Sequence, residues 1–308
     1  MRDEARDRLL MIVSFLAIHV VWGSTYLAIR YAVETIPPLL TAGLRHLFGG
    51  IALFAWCWSR GFRPTKTQWK ASLILSLMFF LIGHGSLHWA ETVVPSGVAA
   101  LLVSTEPVWI AALMALFGDR SRLSPYGIGG LLLGIAAVAI LVEPPSSAGS
   151  ALFLGSIVLV VGSLGWALGM MYARTAPLHP AAIMSASMTL ICGGVSLLVA
   201  SALTGSLAHF EVRAVTTRSV LGLLYLLVFG SLTFAAYSWL LTRCSPVLVA
   251  THTYTNPLIA VLLGAVIAGE RVTPRIILAA AAVVMAILLV RRDTADPEPR
   301  PRLALMEE

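Results

Sequence analysis

Apolar residues run along this chain in ten stretches, at 10–30, 38–58, 71–90, 96–117, 124–142, 151–173, 181–203, 219–242, 247–268 and 273–290. Each is near the roughly 20 residues of helix that cross a bilayer core. They are too long for strands and show no period-two alternation. Most connections are short and carry breakers, such as Pro37-Pro38, Pro64, Pro95, Pro125, Pro180 and Pro246. The pattern predicts an all-α membrane protein with ten transmembrane helices. The first stretch follows Arg2, Arg6 and Arg8, as a signal peptide would. It is too long for a signal core, and no small-residue cleavage site follows it, so a retained first helix is expected.

Composition agrees. Hydrophobic residues make up 58% of the chain and charged ones 12%, where a soluble domain is about half apolar and about a quarter charged. A bilayer must cover part of such a surface. The net charge of +6 hints at nucleic acid. The basic residues, however, sit in short runs between apolar segments, where topology signals belong. Lipid, and not nucleic acid, is the expected partner. With the N-terminus in the cytoplasm, fifteen lysines and arginines fall on the cytoplasmic side and five on the outer side, with Arg45 inside a segment. That bias predicts both termini in the cytoplasm of a multi-pass cell (plasma or inner) membrane protein. Cys57, Cys192 and Cys244 are odd in number and lack metal-ligand spacing, so free thiols are expected. The tail 293–308, with three prolines and seven charged residues, is expected to be disordered.

The run from Glu143 to Ser150 separates five segments from five, giving halves 1–145 and 146–292. Trp22 precedes Arg30 by eight residues, as Trp166 precedes Arg174. Trp89 precedes Pro107 by eighteen, as Trp239 precedes Pro257. A duplicated unit with an odd number of crossings inserts upside down. Two inverted-topology repeats of five helices are therefore expected, a recurring plan of secondary transporters.

The chain resembles the EamA-type carriers of the drug/metabolite transporter superfamily over roughly residues 10–292, and within them the YedA-like branch. The likeness rests on Trp22-Gly23-Ser24-Thr25-Tyr26 with Arg30, Pro37-Pro38 with Arg45, Ala90-Glu91, Pro95-Ser96-Gly97, and the Pro107 helix ending in Asp119-Arg120. The second half adds Gly165-Trp166-Ala167, Asn256-Pro257 and Gly269-Glu270-Arg271. The resemblance implies ten helices in two inverted repeats, a central cavity, alternating access, and export of small metabolites, amino acids or drugs. His84 departs from it, standing where related sequences commonly carry a neutral polar residue. Glu106 departs too, standing where an apolar residue is common.

Glu106 is the most unusual residue on its own terms. An ionised acid at mid-membrane costs about 2.5–3.5 kcal/mol on insertion scales. Pro107 follows it and deprives the Val103 carbonyl of its helical partner. Asn256-Pro257 does the same to Thr253 in the second half. Freed carbonyls at that depth need protein or water, so both pairs are expected to line a cavity and to mark a substrate or proton site. The bland alternative is a kink with a protonated, hydrogen-bonded acid. His84 and His252 are candidates for proton or substrate contact, with plain interhelical hydrogen bonding the alternative for His252. Arg45 anchors either a structural ion pair with Glu91 or a carboxylate on the substrate. Trp22, Trp166, Tyr237 and Trp239 form either an aromatic wall or ordinary interhelical packing. Trp56, Trp58 and Trp69 fit an interfacial belt. Gly130-x-x-x-Gly134 and Gly165-x-x-x-Gly169 allow close helix packing, and a homodimer is left open.

Secondary transport of a small molecule, favouring export and with proton coupling undecided, is the leading expectation. No enzymatic activity, cofactor or metal is expected, and no G-x-x-x-x-G-K-[ST] motif for ATP is present. The alternatives are an intramembrane metalloenzyme on His84, His88 and Glu91, or a membrane receptor or scaffold.

Overall fold

The computed structural model describes residues 2–117, 124–142, 150–208, 210–244, 249 and 251–294. Asp119-Arg120, Pro246, most of the 143–150 divider and the tail from 295 lie outside the described residues. Among the described residues there is no strand. Apolar periodicity gives ten rods: α1 (2–32), α2 (Pro38–Ser59), α3 (Lys66–Ala90), α4 (96–117), α5 (Pro125–Leu141), α6 (Ser150–Ala173), α7 (Ala182–Leu203), α8 (217–243), α9 (His252–Ala268) and α10 (Pro274–Thr294). Eight contain a stretch long and apolar enough to cross a membrane, while α5 and α9 are shorter apolar helices.

Local chemistry sets the ends. Pro38 and Pro125 open α2 and α5 at the first helical turn, where the missing N–H costs nothing. α3 starts earlier than its apolar stretch because Thr65 and Gln68 form a reciprocal capping box. Gly269, at φ 68°, ends α9 in the left-handed conformation that glycine adopts freely. That turn carries Glu270 back to the start of α4. Its carboxylate accepts from Ser96 N (2.8 Å), Ser96 Oγ (2.8 Å) and Gly97 N (3.1 Å). The negative charge sits at the positive end of the α4 dipole.

The two prolines within α4 and α9 behave differently. Around Pro107 the rod divides into Ser96–Val103 and Glu106–Phe117, joined by a turn at Ser104 and Thr105. The Thr105 hydroxyl bonds the Leu102 carbonyl at 2.6 Å and accepts from Trp109 Nε1 at 3.1 Å. Pro257 instead lies inside the continuous α9 helix, so the expected pair of matching breaks is one break and one contained proline.

Helix packing places the cavity. α2 lies along α7, and α5 along α10. α1 packs on α8 and α9, while α6 packs on α3 and α4. The α2–α7 seam is close enough that a methyl on Gly50 would meet the Ile191 nitrogen at 2.7 Å. The paired glycines predicted to allow close approach do so within this chain. Gly130 faces α10, Gly134 faces Val108, and Gly165 and Gly169 face Ile82 and Phe79 on α3.

Candidate functional site

Among the described residues, three rods carry a short π-helical stretch: Ala17–Val21 in α1, Leu77–His84 in α3 and Leu226–Gly230 in α8. Such stretches widen the helix by one residue per turn and redirect the side chains that follow. All three adjoin one central cavity of about 150 Å³. That is roughly ten times the space one water needs. Trp22 follows the first stretch, His84 closes the second, and Gly230 closes the third; each lines the cavity. Rods α1 to α4 and α6 to α9 all contribute to the wall, whereas α5 and α10 contribute nothing.

Of the residues singled out from sequence, Glu106, Asn256, His84, His252, Trp22, Trp166 and Arg45 all line this cavity. Tyr237 does not. It stands behind Trp22, at 5.1 Å between ring centroids, and beside His252 at 5.8 Å.

The aromatic residues form two clusters, not one wall. Trp22 of α1 packs on Phe234 and Tyr237 of α8 and on His252 of α9. Trp166 of α6 packs on Phe79, Phe80 and His84 of α3. The His84 ring stacks on Trp166 at 5.1 Å and 21°. Trp56 and Trp58 are half exposed and lie under Arg60 and Arg63. Trp69 is less exposed and packs on Phe54.

Arg45 is nearly buried, and its guanidinium lies where a side chain on Gly230, in the π stretch of α8, would point. The anticipated ion pair with Glu91 is not formed. Both Glu91 carboxyl oxygens are buried without a hydrogen-bond partner. Among the described residues, no hydrogen bond or ion pair engages the Arg45 guanidinium or the Glu106 carboxyl. Among the described residues, the cavity thus presents a cation and an acid that no hydrogen bond or ion pair engages.

Asn256 is engaged. Three carbonyl oxygens surround one end of its amide, so that end must be the nitrogen. Its two hydrogens are shared among Ile18 O (3.1 Å), His19 O (3.0 Å) and His252 O (3.2 Å). Ile18 and His19 belong to the π stretch of α1. Asn256 therefore ties α9 to the irregular turn of α1.

His46 was not singled out from sequence. It lines the cavity, and its Nε2 shares a 2.8 Å hydrogen bond with His84 Nδ1. The available signal was a histidine adjoining Arg45 inside an apolar segment. That bond occupies one His84 nitrogen, and His88 Nδ1 bonds the His84 carbonyl at 2.8 Å. Among the described residues, no group of three or more His, Cys, Asp or Glu side chains is placed to hold a metal ion.

The EamA-like transporter family matches this sequence twice, over residues 9–143 and 153–292. The chain belongs to that family. Like the EamA proteins, it is a multi-pass membrane transporter of the drug/metabolite superfamily. It is 34% identical over 290 residues to an uncharacterised inner membrane transporter, YedA, of Escherichia coli K12, covering 92% of each chain. It is 26% identical over 276 residues to the uncharacterised transporter YoaV of Bacillus subtilis, covering 88% of this chain and 92% of that one. A solved crystal structure superposes with a TM-score of 0.61 at 18% identity, covering 91% of this EamA chain and 96% of the other. That likeness speaks for the fold alone.

Proposed function

We propose that this EamA-family chain is a secondary carrier that exports a small metabolite, amino acid or drug by alternating access, with the substrate held in the central cavity. The observation that carries this reading is a cavity at the centre of eight rods, holding Arg45 and Glu106 with no hydrogen-bond or ion-pair partner among the described residues. A buried charge without a partner is expensive, and a substrate of complementary charge removes the expense. An anionic group on the substrate meets Arg45, and a donor or cationic group meets Glu106. Trp22 and Trp166 hold an apolar body between them, and His84 and His252 supply polar contacts beside them.

The rods form two inverted repeats of five, residues 1–145 and 146–292, with both termini and the 293–308 tail in the cytoplasm. Exchange of the halves supports this. It maps α1 on α8 and α9 into α6 on α3 and α4, and it maps the Trp22 cluster onto the Trp166 cluster. It also maps the π stretch of α3 onto that of α8. The fifth helix of each half stays off the cavity. Rocking of one half against the other would open the site to each side in turn.

The test is a thermal-stabilisation screen of the purified protein against amino acids, nucleosides and cationic drugs, followed by flux in proteoliposomes. A ligand in excess over its dissociation constant must raise the melting temperature. A stabilising solute that accumulates in vesicles carrying the parent, and not in vesicles carrying Arg45→Gln, supports the reading. Flux that is unchanged by Arg45→Gln, Glu106→Gln and both together would remove the cavity from the transport path.

A further inference from the structure

Glu270 binds across a seam between two groups of rods. α1 packs with α8 and α9, and α6 packs with α3 and α4. Glu270 follows α9, yet its carboxylate is held by Ser96 and Gly97 at the start of α4. The two rods meet closely there. A methyl on Gly97 would lie 3.0 Å from the α-carbon of Val261 in α9. One on Gly264 would lie 3.0 Å from Ser96 Oγ and would strike the Glu270 carboxylate. Toward the cavity, Ile29, Ala32 and Val33 of α1 share one buried core with Leu87 of α3 and with Val98 and Leu102 of α4. Ile29 and Leu87 of that core also line the cavity. This end of the cavity is therefore shut by an apolar plug with a polar clasp beyond it. Among the described residues, the buried cores at the opposite end do not cross the seam: Ile18 and Leu240 pack with Val249, and Cys57 packs with Met184 and Met188.

The part of α4 that Glu270 holds is separable from the rest. Ser96–Val103 starts after Pro95 and ends at the turn of Ser104 and Thr105. All its residues but Val103 are buried. Pro107 removes the N–H that would bond the Val103 carbonyl and splice the segment to the helix beyond. The Ser104 and Thr105 hydroxyls instead bond back to the Ala100 and Leu102 carbonyls. A short turn between two rigid pieces is where a hinge absorbs motion. Glu106 opens the helix beyond that turn and lines the cavity, so a substrate held there sits at the pivot. The clasp is also able to open. Glu270 lies on a second, polar pocket of about 290 Å³ with Arg30, Glu34 and Arg218. A carboxylate released into such a pocket exchanges its hydrogen bonds for others, at a small net cost.

We propose that Ser96–Val103 is a gate segment, hinged at Ser104 and Thr105 and latched shut by Glu270. With both termini in the cytoplasm, it closes the outer end of the cavity. Release of Glu270 lets the segment swing away from α1 and α9, parts the apolar plug and opens the cavity on that face. The contacts between α1 and α8 at the same end, Thr35 Oγ1 to Ser219 Oγ (2.8 Å) and Ser219 Oγ to Tyr31 O (2.7 Å), lie within one group of rods and stay made. The gate serves the carrier reading above and rests on it for its use, but its test needs no transported solute.

The experiment is thiol labelling of the full chain in right-side-out and in inverted membrane vesicles, with a membrane-impermeant methanethiosulfonate outside. Thr253→Cys puts a thiol on the cavity wall. Glu211→Cys, exposed on the loop before α8, reports which face carries the clasp. Mass spectrometry reads each site separately, so Cys57, Cys192 and Cys244 do not interfere. From the clasp face, Thr253→Cys should react slowly. Adding Glu270→Ala or Gly264→Ala should speed it about tenfold or more, the population change for about 1.4 kcal/mol. From the opposite face the rate should not rise. If Glu270→Ala does not fold, Gly264→Ala decides alone, since it displaces the carboxylate without removing it. An unchanged rate from the clasp face, or an equal rise from both faces, overturns the gate. A rise confined to the clasp face in a protein inert in every flux assay would uphold the gate and remove the carrier reading. An unchanged rate in a protein that transports would do the reverse.

Discussion

The tie from Asn256 to the π stretch of α1 can be weighed directly. Asn256→Ala leaves the Ile18 and His19 carbonyls, and the third carbonyl at His252, without the nitrogen that now donates to them. A buried acceptor stripped of its donor costs about 1–3 kcal/mol. Two such carbonyls from α1, with partial relaxation, give a loss of about 2–4 kcal/mol. At about 2–4 °C per kcal/mol for a chain of a few hundred residues, the melting temperature should fall by about 5–10 °C. Asn256→Asp is the sharper probe because it keeps the shape and replaces the donating nitrogen with an oxygen. That oxygen would face three carbonyl oxygens, so the aspartate should destabilise at least as much as the alanine. The assay is thermal unfolding in detergent with a thiol-reactive fluorophore, since Cys57 is a fully buried free thiol. An Asn256→Asp protein that melts with the parent would refute the reasoning, because the amide would then not be oriented as a donor to those carbonyls.

Three further outcomes are expected. Glu106→Gln should fold and insert normally, since the amide fills nearly the same volume. If Glu106 takes part in coupling, substrate flux in proteoliposomes loses its dependence on an imposed pH gradient; equal dependence in parent and mutant removes Glu106 from the mechanism. Gly230→Ala places a methyl about 3.2 Å from Arg45 Nε. It should leave the melting temperature within a few degrees and raise the KM of any anionic substrate, and an unchanged KM would detach the guanidinium from substrate binding. Thr65→Ala removes the capping box at the start of α3 and should cost about 1 kcal/mol, read as a lower melting temperature with unchanged flux.

The ten rods were legible because each announces itself by a run of apolar residues, and hydropathy needs no knowledge of neighbours. α3 was misplaced at its start because Lys66 to Lys70 is a polar first turn, visible only through the Thr65–Gln68 cap. The π stretches were illegible, since Leu226–Gly230 has the composition of any apolar helix. Their positions depend on which carbonyls a neighbour can satisfy, and Asn256 shows how far away that neighbour lies in sequence. Glu106 and Arg45 could be picked out because ionisable groups at mid-membrane are rare. Tyr237 looked equivalent to Trp22, yet which of two stacked rings faces the cavity is decided by packing, not by residue type. Arg45 and Glu91 looked like natural partners by charge, and only the packing of α8 through Gly230 shows where the guanidinium goes. Pro107 and Pro257 carry the same local rule, but Ser104 and Thr105 support a turn before one and not before the other.

The π stretches also bear on how such a chain can change length. A π turn holds one residue more than the α turn it replaces. Deleting one residue within Leu226–Gly230 would let α8 close into regular helix without rotating either end relative to its neighbours. The same deletion elsewhere in the rod would turn every following side chain by about 100°. These stretches are therefore the places inside a membrane helix where single-residue insertions and deletions can be accommodated. Relatives that differ in length within a rod should differ there, and each such change would reshape the cavity wall while leaving the outer, lipid-facing surface in register.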